Sequence, residues 1–261
     1  MAMTVLLLGD ITGRSRVALR MLSSVLEGLG HEVLMLPTVL ISNTLNLGTH
    51  AQLDTTDYLM ESLDVWKKLG IHFDMAYVGY ITGMEQAQRI VSVIDDLRAQ
   101  GVSVIVDPIL GDNGKKYNSI SDSQAGGMRL LCAHADLITP NLTEACLLSG
   151  LNYDEAAEGQ GLAQMIDALA VGDGRRSVII TSAQTAHGQN VIAGWDAAKR
   201  EAVTVPFHRV PGHRWGTGDL FTGLLMNELL SDHALEDAAA RAAAHVEAQL
   251  CGEETSLLPK Q

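Results

Sequence analysis

Short apolar runs alternate along the chain with longer stretches in which apolar residues recur every three or four positions, the rhythm of strands and amphipathic helices. Residues 4–8 form the first apolar run, ending at Gly9-Asp10. A polar loop then leads into a helix expected over 16–29 and stopped by Gly30. A second strand is expected over 33–36, closed by Pro37, and residues 38–49, rich in Thr, Ser and Asn, read as a loop or edge strand. Asp54 can cap a helix running through Trp66 to Gly70. Residues 75–78 are the next strand, ending in Gly79-Tyr80. Thr82 opens a helix whose Ile90, Val91, Ile94 and Leu97 share one face, up to Gly101. Residues 102–106 are the clearest buried strand, apolar but for Ser103. A polar loop over 113–121, a helix near 123–133, a strand at 137–139 and a helix from Pro140 to Gly150 follow. Beyond an interrupted helical stretch over 154–170 come a strand at 177–181 and an antiparallel pair at 191–195 and 201–207. The loop at Gly216, its helix, and an Ala-rich helix over 234–250 complete the chain.

This alternation, closed by a late hairpin and two helices, predicts an α/β fold. One mainly parallel sheet would be covered by helices on both faces, through right-handed crossovers. No linker, composition break or internal repeat divides residues 1–261, so a single domain is expected. Composition refines the picture. Of the residues, 47% are hydrophobic but only 4% aromatic, so the core is expected to be aliphatic. With 18 Lys and Arg against 31 Asp and Glu, the formal charge of −13 disfavours nucleic acid and anionic membrane surfaces as partners. Cys132, Cys146 and Cys251 are odd in number and widely spaced, offering neither a disulfide framework nor a CxxC metal site; reduced thiols are expected. The N-terminus has no basic segment, residues 5–8 are too short for a signal core, and no apolar run reaches membrane-spanning length. A soluble cytoplasmic protein is the expectation.

In parallel sheets, ligands bind beyond the C-terminal ends of the strands. Asp10 and Thr12, Tyr80, Asp107 and Asp112, Thr139 and Asn141, and Thr181 and Ser182 all fall at such ends. Singly, each can be a turn, cap or rim residue; jointly they make one edge rich in carboxylates and hydroxyls. Gly216-Thr217-Gly218-Asp219 turns into an apolar helix, and such a helix start directs amides and a positive dipole end at an anion. A carboxylate there repels phosphate, yet a base that takes a proton from an attacking hydroxyl has to occupy that place. On its own the stretch reads equally as a tight turn with Asp219 capping the helix. Asp107, Asp112 and Glu144 are hard oxygen donors suited to Mg²⁺, directly or through water. There is no GxxxxGK[ST], and Gly9 and Gly13 do not make GxGxxG, so neither a P-loop nor a dinucleotide fingerprint is present.

Seven stretches, spread over nearly the whole chain, carry a resemblance. They are Leu36-Pro37-Thr38, Ser42-Asn43, Gly79-Tyr80, Asp107-Pro108-Ile109-Leu110-Gly111-Asp112, Thr139-Pro140-Asn141-Leu142-Thr143-Glu144-Ala145, Thr181-Ser182 and Gly216-Thr217-Gly218-Asp219. In this order they resemble the ribokinase superfamily and, within it, the pyridoxal (pyridoxine, pyridoxamine) kinases. The resemblance implies a ribokinase-like three-layer sandwich that uses ATP and Mg²⁺, with a place for a monovalent cation such as K⁺. It also implies a homodimer. The implied reaction is phosphorylation of the 5′-hydroxymethyl group of pyridoxal, pyridoxine or pyridoxamine, in vitamin B6 salvage. By the same resemblance Asp219 is the base, and Gly216, Thr217 and Gly218 form the anion hole. Asn141 and Glu144 organise Mg²⁺ and phosphates, Asp107 and Asp112 hold cations beside the triphosphate, and Thr139, Thr181 and Ser182 border the nucleotide. Residues 113–117 would close as a lid, while Thr12, Ser42, Thr44 and Tyr80 would face the vitamer together with Asp219.

Two departures fall on the vitamer side. Relatives usually follow Ser-Asn with His-Thr, where this chain has Thr44-Leu45. They usually carry Ser where Thr12 stands, and differ from Gly13-Arg14-Ser15 after it. A kinase of another hydroxymethyl heterocycle, such as hydroxymethylpyrimidine, is therefore a competing expectation. A non-catalytic nucleotide-binding relative is disfavoured by Asp219 and Glu144, and a nicotinamide oxidoreductase by the missing glycine fingerprint.

Overall fold

In the computed structural model, which describes residues 2–44, 49–171, 175–210 and 216–252, β1 (Thr4–Thr12) runs through the middle of the sheet with Val5 to Gly9 buried. In chain order follow α1 (Leu19–Gly28), β2 (Glu32–Ile41), β3 (Gln52–Asp54), α2 (Thr56–Lys68), β4 (Met75–Val78), α3 (Met84–Ala99) and β5 (Ser103–Val106). Next come β6 (Gly111–Asp112), β7 (Lys115–Lys116), α4 (Asp122–His134), β8 (Leu137–Ile138), α5 (Leu142–Ser149), α6 (Tyr153–Ala157) and α7 (Leu162–Leu169). The chain continues through β9 (Ser177–Gln184), β10 (Asn190–Asp196), β11 (Glu201–Pro206), α8 (Thr217–Leu230) and α9 (Leu235–Cys251).

The main sheet has the order β11-β10-β9-β8-β5-β4-β1-β2-β3. From β2 to β9 across that order every neighbouring pair is parallel, while β3, β10 and β11 pair antiparallel at the two edges. The expected α/β sandwich is therefore observed. Both faces of the parallel strands are covered, which is why they read as unbroken apolar runs rather than alternating ones. Leu6, Leu8, Val104 and Val106 pack on one face with Ile90 and Ile94 of α3, Met128 of α4 and Met165 of α7. Val5, Leu7 and Ile105 pack on the other with Leu22 and Val25 of α1, Leu225 of α8 and Ala239 and Ala242 of α9. Each fully buried aliphatic side chain contributes about 1.5–3 kcal/mol of transfer free energy.

Two elements differ from expectation, each for a physical reason. Pro37 does not close β2; the strand runs through it to Ile41. Proline cannot donate to a ladder, and the register with β1 shifts beside it, from Gly9 opposite Pro37 to Asp10 opposite Val39. The bulge thus accommodates the missing donor and carries β1 as far as Thr12. The expected polar loop at 113–121 begins as a hairpin: Asp112 pairs with Lys115 around Asn113 (φ 51°) and Gly114 (φ 76°). Asn-Gly at two positive-φ positions is the turn that matches strand twist. The remaining elements shift by a few residues at their ends, with α2 preceded by β3 and the 154–170 stretch resolved into α6 and α7.

β2 and β4 flank β1 on opposite sides. Connections leaving β1 and β4 therefore diverge, opening the kind of crevice in which α/β folds bind ligands.

Candidate active site

Backbone bonds carried past the strand ends hold the loops of this crevice in register. Gly79 N–H donates to Leu8 C=O (2.8 Å), Asp107 N–H to Val78 C=O (2.9 Å), Thr139 N–H to Val106 C=O (3.1 Å) and Thr181 N–H to Pro140 C=O (3.0 Å). The ladder thus places Tyr80, Asp107, Thr139 and Thr181 side by side along one edge.

Across from them stands the start of α8. Gly216 is its N-cap residue, at φ 84°, a backbone conformation that favours glycine. A Cβ there would lie 3.2 Å from Arg16 C=O, so the turn also packs closely on the loop before α1. A Cβ on Gly218 would meet no described residue within 4 Å. Asp219 sits in the first turn, where its Oδ2 accepts from Ala18 N–H at 2.9 Å, across 201 residues of chain. Among the described residues the backbone amide recorded against its carboxyl is that of Ala18, outside its own helix. Burial raises the Asp219 pKa, while the Ala18 amide opposes the rise.

Three further carboxyls gather with it. Asp107 is buried, and its pKa is pushed up to about 8, first by burial and then by the charge of Asp219. Asp10 is pushed up to about 7 by the same two causes in the same order. Glu144 is raised by burial and by Asp107. Among the described residues, none of the ion pairs involves any of these four acids. The arrangement crowds acids where their ionised forms are penalised, a penalty that a bound cation would offset.

Glu144 and Asn141 are organised by α5. Asn141 Oδ1 accepts from Glu144 N–H (3.0 Å) and Glu144 Oε2 from Asn141 N–H (2.9 Å), a reciprocal capping box. Glu144 Oε1 also accepts from Leu110 N–H at 3.1 Å. Asn141 Nδ2 donates to Gly111 C=O (2.9 Å) and Gly114 N–H to Thr143 Oγ1 (2.9 Å), so the β6–β7 hairpin is docked on the start of α5. Asp112 accepts from its neighbour Asn113, through both the backbone amide and Nδ2. Ser182 Oγ accepts from Leu142 N–H at 3.3 Å and is exposed. Thr139 is buried, and its Oγ1 has no hydrogen-bond partner among the described residues.

Asp107, Asp112 and Glu144 do not close into a cage: no cluster of three His, Cys, Asp or Glu able to hold a metal occurs among the described residues. Backbone amides occupy Glu144, and Asp112 is turned to Asn113. The donor set nonetheless fits a hydrated Mg²⁺, which keeps several waters and uses one or two carboxylates together with phosphate oxygens. The buried, unneutralised Asp107 and the orphaned Thr139 hydroxyl are the observations that support this fit.

On the other side of the crevice, Thr12 is buried, with Oγ1 3.5 Å from Ser15 C=O. Ser42 is exposed, its Oγ donating to Asn43 Oδ1 and accepting from Ala51 N–H. Thr44 is buried, and its Oγ1 has no partner among the described residues; Leu45 lies outside them. Tyr80 is buried, and its hydroxyl accepts from Gln124 Nε2 at 2.7 Å, tying it to the core beneath α4. Sequence reasoning gave no role to Asp10, Ala18 or Tyr77. The first carried a signal as a lone carboxyl at a strand end. The other two act through contacts that only the fold creates.

A family model described as phosphomethylpyrimidine kinase matches residues 38–257. A Bacteroides thetaiotaomicron protein, provisionally described as a phosphomethylpyrimidine kinase and crystallised with pyridoxal, superposes with a TM-score of 0.84 at 31% identity. That match covers 94% of this chain and 86% of that one. Pyridoxal kinase from Lactobacillus plantarum superposes with a TM-score of 0.81 at 29% identity, over 97% and 91% of the two chains. Pyridoxal kinase of Arabidopsis thaliana is 30% identical over 155 residues, 57% of this chain; the match spans about half of that protein's length, 48%. The chain belongs to the phosphomethylpyrimidine kinase family, and with it to the ribokinase-like proteins that include the pyridoxal kinases.

Proposed function

We propose that the chain transfers the terminal phosphoryl group of ATP to the 5′-hydroxymethyl group of pyridoxal, pyridoxine or pyridoxamine. The observation that carries this reading is Asp219. It is a carboxylate at the start of α8, held by the Ala18 amide, opposite an edge of buried acids. Asp219 takes the proton as the acceptor oxygen forms its bond to the γ-phosphorus, and ADP departs. The turn through Gly216, Thr217 and Gly218 presents the positive end of α8 to the transferring group. Mg²⁺ supplies charge neutralisation between the phosphates. Asp107, with water and Asp112, would hold it, and the Glu144–Asn141 box keeps the neighbouring turn fixed. Thr139, Thr181 and Ser182 border the nucleotide in this reading, and Thr12, Ser42, Thr44 and Tyr80 the vitamer. K⁺ is the monovalent ion that the same pocket of oxygens would suit.

We further take residues 1–261 to act as one kinase domain that pairs as a homodimer. Leu40 and Leu53 (61% exposed), directly paired at the β2–β3 edge, and Tyr58, Val65 and Leu69 in and just after α2 are exposed apolar side chains that a second subunit could cover. No helix among the described residues is long and apolar enough to cross a membrane. The free, exposed Cys251 fits the reducing cytoplasm, where we place the protein.

The family description names a phosphomethylpyrimidine, so a pyrimidine is the second acceptor class to test, with hydroxymethylpyrimidine as the alcohol. A coupled ADP-release assay against all four acceptors separates the readings; turnover of the pyrimidine alone would overturn the first. Asp219→Asn keeps the shape and removes the proton acceptor, so kcat should fall roughly 10²- to 10⁴-fold, with ATP affinity little changed. Near-normal kcat in that variant would end the assignment of Asp219 as base.

A further inference from the structure

Tyr77, on β4, is 2% exposed and packs on the α1–α8 side of the sheet. The register sets it beside Ile105 of β5, two residues before Asp107. Two residues of parallel strand span about 6.6 Å, which a tyrosine side chain laid along the sheet can bridge. Its hydroxyl lies 3.5 Å from Asp107 Oδ2, the one side-chain hydrogen bond of either residue among those described. Gly79 makes the path. A Cβ at that position would fall 2.7 Å from the Tyr77 hydroxyl, 3.0 Å from Cε1 and 3.2 Å from Cζ. In an extended chain, residues two apart share a face, so any side chain at 79 would occupy the channel the ring uses.

We propose that Tyr77 is a positioning residue of the phosphoryl-transfer site, its hydroxyl holding the Asp107 carboxylate in the orientation that receives the hydrated cation accompanying the nucleotide. The inference rests on the kinase reading above. Among the described residues, Tyr77 is the one side-chain hydrogen-bond partner that Asp107 has. A lysine or arginine tether would neutralise the carboxylate and compete with the cation. A neutral phenol fixes it without spending its charge. Gly79 is, on this account, required by the reach of Tyr77 and not by its own backbone angles.

The test is calorimetric titration of ADP, with Mg²⁺ and with EDTA, into the parent protein, Tyr77→Phe and Gly79→Ala. Thermal melts report folding, and steady-state kinetics report kcat and both KM values. Tyr77→Phe keeps the ring and removes the donor. It should bind metal-free ADP as the parent does, yet lose roughly 10- to 100-fold of the affinity gain that Mg²⁺ confers. kcat should fall with it, while KM for the acceptor alcohol stays put. Gly79→Ala should show the same selective loss, because it displaces the same hydroxyl, and combining the two should add little. An unchanged Mg²⁺-dependent gain in Tyr77→Phe overturns the proposal, as does a loss that merely follows the melting temperature. If Tyr77→Phe does not fold, Gly79→Ala decides by the same criteria. If the parent gains no ADP affinity from Mg²⁺, the kinase reading itself has failed and the role of Tyr77 falls with it.

Discussion

Replacing Asp10 by Asn tests the charge arrangement of the crevice most directly. The Asp10 carboxyl rises from 3.8 to about 7, through burial first and the Asp219 charge second. An acid whose pKa is higher in the folded state binds more protons there than in the unfolded chain between the two values. Folding stability therefore falls as pH climbs from about 4 to about 7 and stays reduced above that. A rise of about three pH units corresponds to about 4 kcal/mol, of which about two thirds develops above pH 5. The side chain is only partly buried and shares its repulsion with Asp219, so roughly 1–2 kcal/mol should be realised between pH 5 and pH 8. At about 2–4 °C per kcal/mol for a chain of this size, Asp10→Asn should gain roughly 3–6 °C on the parent over that interval. Scanning calorimetry in EDTA would measure it. Repulsion between two carboxyls is mutual, so the acid limb of kcat/KM should also move to lower pH in the variant. The Ala18 amide already stabilises the Asp219 anion, so that movement should be the smaller effect. A Tm gap equal at pH 5 and pH 8 would show that Asp10 is ionised and solvated, and would refute the reasoning.

Glu144→Gln should lower the urea-unfolding free energy by about 1–3 kcal/mol, because an amide NH₂ must face Leu110 or Asn141 N–H; an unchanged midpoint would remove the capping role. Ala18→Gly should stabilise by about 1 kcal/mol, since Ala18 sits at φ 52° and ψ −135° and its backbone bond to Asp219 survives; a lower Tm would show that the position is unstrained. Thr44→His with Leu45→Thr should lower KM for pyridoxal by roughly 5- to 150-fold and leave KM for ATP nearly unchanged. Tighter pyridoxal binding by the parent would make that departure a neutral repacking.

Much of the architecture was legible because its cause is local. Unbroken apolar runs such as residues 102–106 follow from a sheet covered on both faces, and Gly30, Gly101 and Gly150 stop helices where the periodicity ends. Pro37 misled for a reason that sequence does not display. A proline ends a strand unless the ladder is broken beside it, and here Thr38 of β2 is the extra residue, unpaired between Pro37 opposite Gly9 and Val39 opposite Asp10. The hairpin at Asn113-Gly114 was readable from its turn chemistry and was missed because the flanking strands are only two residues long.

The site divides along the same line. Asp107, Asn141, Glu144 and Asp219 announce themselves as polar residues in apolar surroundings. What orders them is a set of contacts between distant segments: Ala18 with Asp219, Tyr77 with Asp107, the 113–114 turn with Thr143. The backbone keeps a trace of these demands. Of the six non-glycine residues at positive φ among those described, Ser15, Ala18 and Asn113 lie in the loop that meets α8 and in the hairpin that meets α5. Such conformations cost about 1–3 kcal/mol each and persist only where the surroundings over-determine them. Asn113 is compensated by its own hairpin. Ser15 C=O accepts from Arg20 Nη1 (3.2 Å), and Ala18, which starts α1, also gives its amide to the Asp219 carboxylate. If Asp219 is the base proposed above, the bent loop serves it by bringing the Ala18 amide to its carboxylate.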